Sequence, residues 1–143
     1  MKTFDKKDTL IISEVPDHLS DSNVLTYLQT NDIDWKYVEA IKNLTQFNDN
    51  ILSGWLNVNV KTFRSYKHSE NKLNANIKEQ VLLLISLIKH GISVFGNIKE
   101  FGIWLNNKNF YFDNESPVNY LNTVTGIRFV NDRLTAIEYG DNV

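Results

Sequence analysis

The chain has 143 residues, enough for one compact domain or for two small helical ones sharing a core. Apolar residues make up 42% and charged residues 22%, a globular balance that excludes a disordered chain. A net charge of −2 excludes general adhesion to polyanions, and the absence of cysteine excludes disulfides and thiolate metal sites.

The first eight residues are charged and lack the apolar core of a secretory signal. The most apolar run, Val81 to Ile88, is far shorter than the roughly 20 residues a membrane-spanning helix needs. A cytoplasmic protein without membrane contact is the expectation. Two prolines and six glycines, with short polar clusters between apolar-periodic segments, predict an all-α fold.

Thr9-Leu10-Ile11-Ile12-Ser13 is β-branched and reads as a short extended piece ending at Pro16. A helix follows Asp17 or Ser20 with Val24, Leu25 and Leu28, and another follows Asp32 or Asp34 with Trp35, Val38, Ile41 and Leu44. Helices beginning after Asn48 and Asn59 come next. From Asn76 a long helix is apolar nearly all round, which predicts a central element buried by several neighbours. It stops near Gly91 or Gly96. Asn97 and Glu100 form a capping-box pattern ahead of inward Phe101, Trp104 and Leu105. A polar, aromatic-bearing loop spans residues 106–115, and Ser116-Pro117 reads as an N-cap followed by a first-turn proline. The last helix carries Val124, Ile127, Val130, Leu134 and Ile137, closed by Gly140.

Between Asn48 and Lys67 the pattern is that of a helix-turn-helix. Ser53 is the small residue two steeply crossing helices need, Asn57 tolerates a left-handed turn, Val58 plugs it, and Phe63 anchors the second helix. Asn59, Lys61, Thr62, Arg64, Ser65 and Lys67 are then the candidate DNA-binding residues. Residues 60–90 carry six cations against two acids inside a chain that is negative overall. A helical hairpin with a solvated basic face is the plainer alternative. The expected organisation is an N-terminal extension (1–19), a helix-turn-helix module (20–75) and a packed C-terminal helical module (76–143).

No catalytic constellation is legible. His18, His68 and His90 fall in different predicted elements and read as lone surface histidines, with no glycine-rich phosphate loop or nucleophile elbow nearby. No enzyme activity, metal set or cofactor is expected. Trp35, Trp55 and Trp104 read as core anchors.

A second pattern runs from Trp104-Leu105 through Ser116-Pro117-Val118-Asn119-Tyr120-Leu121, Thr123, Gly126, Val130 and Leu134 to Ile137-Glu138-Tyr139-Gly140. It resembles the toxin-binding domain of the Xre/MbcA/ParS antitoxins, and Leu56-Asn57-Val58-Asn59 with Thr62, Phe63 and Arg64 resembles that family's helix-turn-helix. The resemblance covers roughly residues 20–140. It implies a type II antitoxin that neutralises a cognate RES-domain, NAD-degrading toxin and represses its own operon through operator DNA. It also implies a homodimer within a larger toxin–antitoxin complex, with Arg128, Arg133, Glu138, Tyr139, Gly140 and Asp141 against the toxin. Ala136 stands where the family usually has arginine, and Asn114-Glu115 where it often has glycines. Arg133, one helical turn earlier, is either a substitute for that arginine or a simple helix-end cation. Gly140 is expected to release Asp141 to Val143 as a flexible peptide. Phe110 to Phe112 is expected either to fold inward or to add to a partner surface. The competing readings are a stand-alone helix-turn-helix transcriptional regulator and a structural adaptor.

Overall fold

The computed structural model describes residues 6–68 and 70–143; residues 1–5 of the expected N-terminal extension, and Ser69, lie outside them. The described chain is all-α. It runs α1 (Lys6–Glu14), α2 (Asp21–Thr30), α3 (Trp35–Thr45), α4 (Asp49–Trp55), α5 (Val60–Ser65), α6 (Ala75–Phe95), α7 (Ile98–Asn106) and α8 (Val124–Glu138). Two 3₁₀ turns, Phe110–Phe112 and Pro117–Tyr120, link α7 to α8.

Short polar side chains start the helices by accepting backbone N–H groups that have no partner within the first turn. Ser20, Asp34, Asn48, Asn59, Asn74, Asn97 and Thr123 cap α2 to α8 in this way. The long helix begins one residue before the expected Asn76 and ends on Gly96 at φ 93°. The segment read as extended at Thr9–Ser13 is instead inside α1. Ile11 and Val15, four residues apart, are buried, and α1 packs on α3. A buried hydrogen bond from Asn43 Nδ2 to Asp8 Oδ2 joins the same two helices, so tertiary packing overrides β-branched propensity.

α6 is the axis of the molecule. Ile77 and every residue from Gln80 to Ile88 are buried, and α2, α3, α7 and α8 all pack on it. A single apolar core runs from Ile11 to Leu134, so the two halves share one interior. α6 and α7 meet at 104°. No single helix among the described residues is long and apolar enough to cross a membrane.

Two close approaches fix the C-terminal half. A Cβ on Gly91 would lie 2.3–2.4 Å from the Phe101 ring, so glycine lets α7 seat on α6. A Cβ on Gly126 would lie 1.8 Å from the Tyr120 carbonyl oxygen. Pro117 opens a 3₁₀ turn rather than an α-helix, and Ser116 makes no side-chain cap; its Oγ donates to the Asn106 carbonyl at 3.1 Å instead. The last helix ends in a Schellman arrangement, with Gly140 at φ 102°, Gly140 N–H to Ile137 O at 2.9 Å and Asp141 N–H to Ala136 O at 3.0 Å.

The obstacle at Gly126 is backbone, which cannot swing aside. Gly126→Ala should therefore destabilise the protein by about 1–3 kcal/mol or more. Thermal unfolding followed by circular dichroism checks this, and an unchanged midpoint would contradict the packing described.

Candidate functional site

Two surfaces carry the residues singled out by the sequence. The first is the corner of α4 and α5. Ser53 is buried where the helices cross, Asn57 turns the chain at φ 58°, and Val58 N–H closes the turn on Ser53 O at 3.1 Å. Phe63 is fully buried, and its ring meets Trp35 edge-on at 5.3 Å.

Lys61, Arg64 and Lys67 are exposed, as expected, while Thr62 and Ser65 are half-buried. Asn59 spends its carboxamide oxygen on Thr62 N–H at 2.7 Å, and Ser65 Oγ donates to Thr62 O. The basic patch is thinner than the count of cations implies. Arg64 Nε donates to Asp49 at 2.9 Å, Lys78 lies 3.7 Å from Asp32, and Lys89 Nζ donates to the Val15 carbonyl. Lys42 also reaches Asp49, at 2.8 Å. Hydrogen bonds from Lys42 first and Arg64 second hold the Asp49 carboxyl below the usual aspartate range. Trp35 is half-buried rather than a core anchor, with Lys42 and Lys67 each about 6 Å from its ring centroid.

The second surface is built by the segment after α6. Phe101, Trp104, Phe112 and Leu105 are buried and tie the 3₁₀ turns to α7, Trp104 meeting Phe112 edge-on at 5.8 Å. The expected aromatic segment therefore splits: Phe112 points inward while Phe110 is 81% exposed. Phe129, half-exposed on α8, packs on Phe112 at 5.2 Å and on Tyr120 at 5.7 Å. Tyr139 is 85% exposed.

The tail does not hang free, contrary to the expectation from Gly140. Arg133 lies 3.4 Å over the Tyr111 ring centroid, Nη1 donates to Asp141 Oδ2 at 2.9 Å, and Nη2 donates to the Asn142 carbonyl. Trp104 Nε1 and Asn109 Nδ2 then donate to the Val143 carbonyl at 3.4 and 3.3 Å. A cation wedged between an aromatic ring and its own tail out-competes solvent for the tail. The Asn142 N–H, and after it Arg133, hold the Asp141 carboxyl below its ordinary range. Arg128 is likewise engaged, at 2.7 Å from Asp21 of α2.

The histidine reading needs correction. His90 is completely buried, and the structure brings it to His18 and Glu138, with the three ligand atoms within 4.8 Å of one another. Sequence spacing could not show this, because the three residues come from the α1–α2 connection, α6 and the last turn of α8. The other signal missed is a pair of polar bridges between the halves. Gln80 Nε2 donates to the Trp55 carbonyl, and Asn57 Nδ2 to the Asn122 carbonyl at 2.6 Å.

The exposed rings of Phe110, Phe129 and Tyr139 thus form an apolar rim over a buried aromatic cluster on the C-terminal helices. Residues 90–140 match the family model of the antitoxin Xre/MbcA/ParS C-terminal toxin-binding domain, so this stretch of the chain is similar to that domain. An antitoxin role in a toxin–antitoxin pair goes with the domain. No curated protein matches the chain.

The Asp49 knot makes the α4–α5 corner acid-sensitive. A depressed carboxylate contributes stability that is complete above the unfolded aspartate value of about 3.9 and is lost as pH falls through the lower folded value. Asp49→Asn should cost about 1 kcal/mol or less at neutral pH, and the gap from wild type should close on acidification below about pH 4. Unfolding midpoints measured against pH check this; a gap that widened in acid would reverse the assignment.

Proposed function

We propose that the protein is the antitoxin of a type II pair whose partner is a RES-domain toxin, and that it represses its own operon by binding operator DNA. One observation carries the first part: the family match over residues 90–140 coincides with the stretch that bears the exposed aromatics Phe110, Phe129 and Tyr139. Large rigid rings set at the edge of a packed cluster are what binding hot spots are made of.

Among the residues proposed against the toxin, Tyr139 is the most available, with Glu138, Gly140 and Asp141 around it. Arg128 and Arg133 act differently from free cations. Each is held by an acid of its own chain, so their contribution is to present a surface already in shape, which lowers the ordering cost of association. The toxin's NAD-degrading cleft is the surface they are proposed to cover.

Phe110→Ala with Tyr139→Ala should leave helical content unchanged, since neither ring is in the core. It should weaken the toxin complex by about 2 kcal/mol or more. Toxin capture by calorimetry, and growth with NAD levels in toxin-expressing cells, are the readouts. Wild-type affinity and full rescue by the double variant would remove this face from the interface.

For operator binding, the support is the α4–α5 corner with Lys61, Arg64 and Lys67 outward. Because several neighbouring cations are spent internally, a lone copy should bind weakly, and the two-fold symmetry of operators calls for a homodimer or larger assembly. Lys61→Ala and Lys67→Ala together should lower affinity for all sequences and shallow its salt dependence by about two phosphate contacts. Arg64→Ala should cost about 1–3 kcal/mol if the free guanidinium edge reads a base. Unchanged promoter binding in the triple variant would sink the assignment, and tight binding without toxin would favour the stand-alone regulator.

A further inference from the structure

His18 and His90 lie outside both proposed surfaces, and with Glu138, at the edge of the toxin-facing one, they form a cluster whose ligand chemistry neither surface uses. His90 sits in the last third of α6 with no exposed side-chain surface. Its Nδ1–H donates to Asn131 Oδ1 of α8 at 2.7 Å, so in the neutral ring the proton sits on Nδ1 and the Nε2 lone pair faces Glu138. That Nε2 is buried and has no hydrogen-bond partner. A buried polar atom without a partner is costly, and its persistence asks for something to satisfy it.

What faces it is a set of further ligand atoms. Glu138 Oε1 lies 3.5 Å from His90 Nε2 and 4.0 Å from His18 Nε2, and the two rings are 4.3 Å apart at 60°. Zinc–nitrogen and zinc–oxygen bonds of about 2.0–2.1 Å set tetrahedral donor atoms about 3.3 Å apart. His90 and Glu138 therefore already stand at ligand spacing. His18, on an exposed loop with 52% of its side chain accessible, stands 4.0 Å from Glu138 and within 4.8 Å of His90, so its ring must close by roughly an ångström. That loop is held against α6 by the bond from Lys89 to the Val15 carbonyl, so His18 is delivered to the site rather than left to find it. The Asn131–His90 hydrogen bond is the outer-shell device that orients a ligating imidazole and selects its tautomer.

The geometry points to a divalent transition-metal site, of zinc type, formed by His18, His90 and Glu138. Two neutral imidazoles and one carboxylate make a borderline donor set that suits zinc rather than calcium or magnesium. Three protein ligands leave the fourth position for water or for a side chain of a bound partner. An occupied site ties the α1–α2 loop, α6 and the last turn of α8 together, one residue before exposed Tyr139.

The test uses the full-length untagged protein, stripped with chelator and titrated with zinc sulfate in calorimetry, beside His18→Ala and Glu138→Gln. Both substituted side chains are at least a third exposed, so the variants keep the fold, which circular dichroism verifies. The expected result is one zinc per chain for the wild type, a rise in melting temperature with zinc, and affinity at least about tenfold weaker in each variant. Cobalt substitution should give tetrahedral visible bands that both variants lose. The proposal is overturned if zinc neither binds stoichiometrically nor shifts the melting temperature, in which case the trio is an ion-paired cluster. It is equally overturned if the variants bind zinc as tightly as wild type, which would assign the metal to other surface groups.

Discussion

Over its middle two turns α6 is apolar on every side, and a helix of that kind is stable in water only when other elements cover it completely. Its run from Val81 to Ile88 has no polar side chain except Ser86, which is also buried. A 21-residue helix is about 30 Å long, so one neighbour cannot cover it. α2 and α3 cover it from the N-terminal half of the chain, and α7 and α8 from the C-terminal half. The two halves are therefore not independent modules that happen to touch. Each supplies part of the coat that the central helix requires, and neither coat alone is sufficient.

The few polar groups that enter this interior mark the joints. Gln80 reaches the end of α4, where it accepts responsibility for the Trp55 carbonyl that the short helix leaves unpaired. At the surface, Asn57, already committed to a left-handed turn, uses its side chain to hold the Asn122 carbonyl just before α8. Asn43 and Asp8 tie α1 to α3, and His90 with Asn131 ties α6 to α8. Buried polar pairs contribute modestly to stability, yet misplacing them is expensive, so they select one packing among the many an apolar interface allows. The α4–α5 corner and the aromatic surface are thereby held in a fixed relation through α6.

Helix starts were legible because each is written in a short-range code: Ser20, Asp34, Asn48, Asn59 and Asn97 are capping residues ahead of periodic apolar positions. The central helix was legible for a similar reason, and its stop was narrowed to Gly91 or Gly96, of which the structure uses Gly96. α1 was not, because the β-branched run around Ile11 and Ile12 favours extension locally and only its contact with α3 makes a helix cheaper. The chemistry of the surfaces was harder. Arg133 looked like a solvated or partner-facing cation because nothing local predicts that the chain after Gly140 folds back over it. The three histidine-cluster residues are separated by 72 and 48 positions, and no spacing rule connects groups that meet only when α6 and α8 pack.

The folded-back tail has a consequence for how the C-terminal surface can work. A mobile peptide entering a cleft must lose its conformational freedom on binding, at about 1–2 kcal/mol for each backbone residue fixed. Here the Schellman turn, the Arg133 fork and the Trp104 and Asn109 donors fix residues 140–143 beforehand. A partner docking there, as proposed, would meet a shaped surface in which Tyr139 is thrust outward from the helix end while its neighbours are already bonded. The same arrangement brings the acids into play on both sides of that ring: Glu138 turns inward to His90, and Asp141 turns back to Arg133. With Glu138 turned toward His90 and Asp141 paired with Arg133, the element that projects between them is an aromatic ring. Contact there is governed by shape and apolar area, and the charged residues around it set the shape.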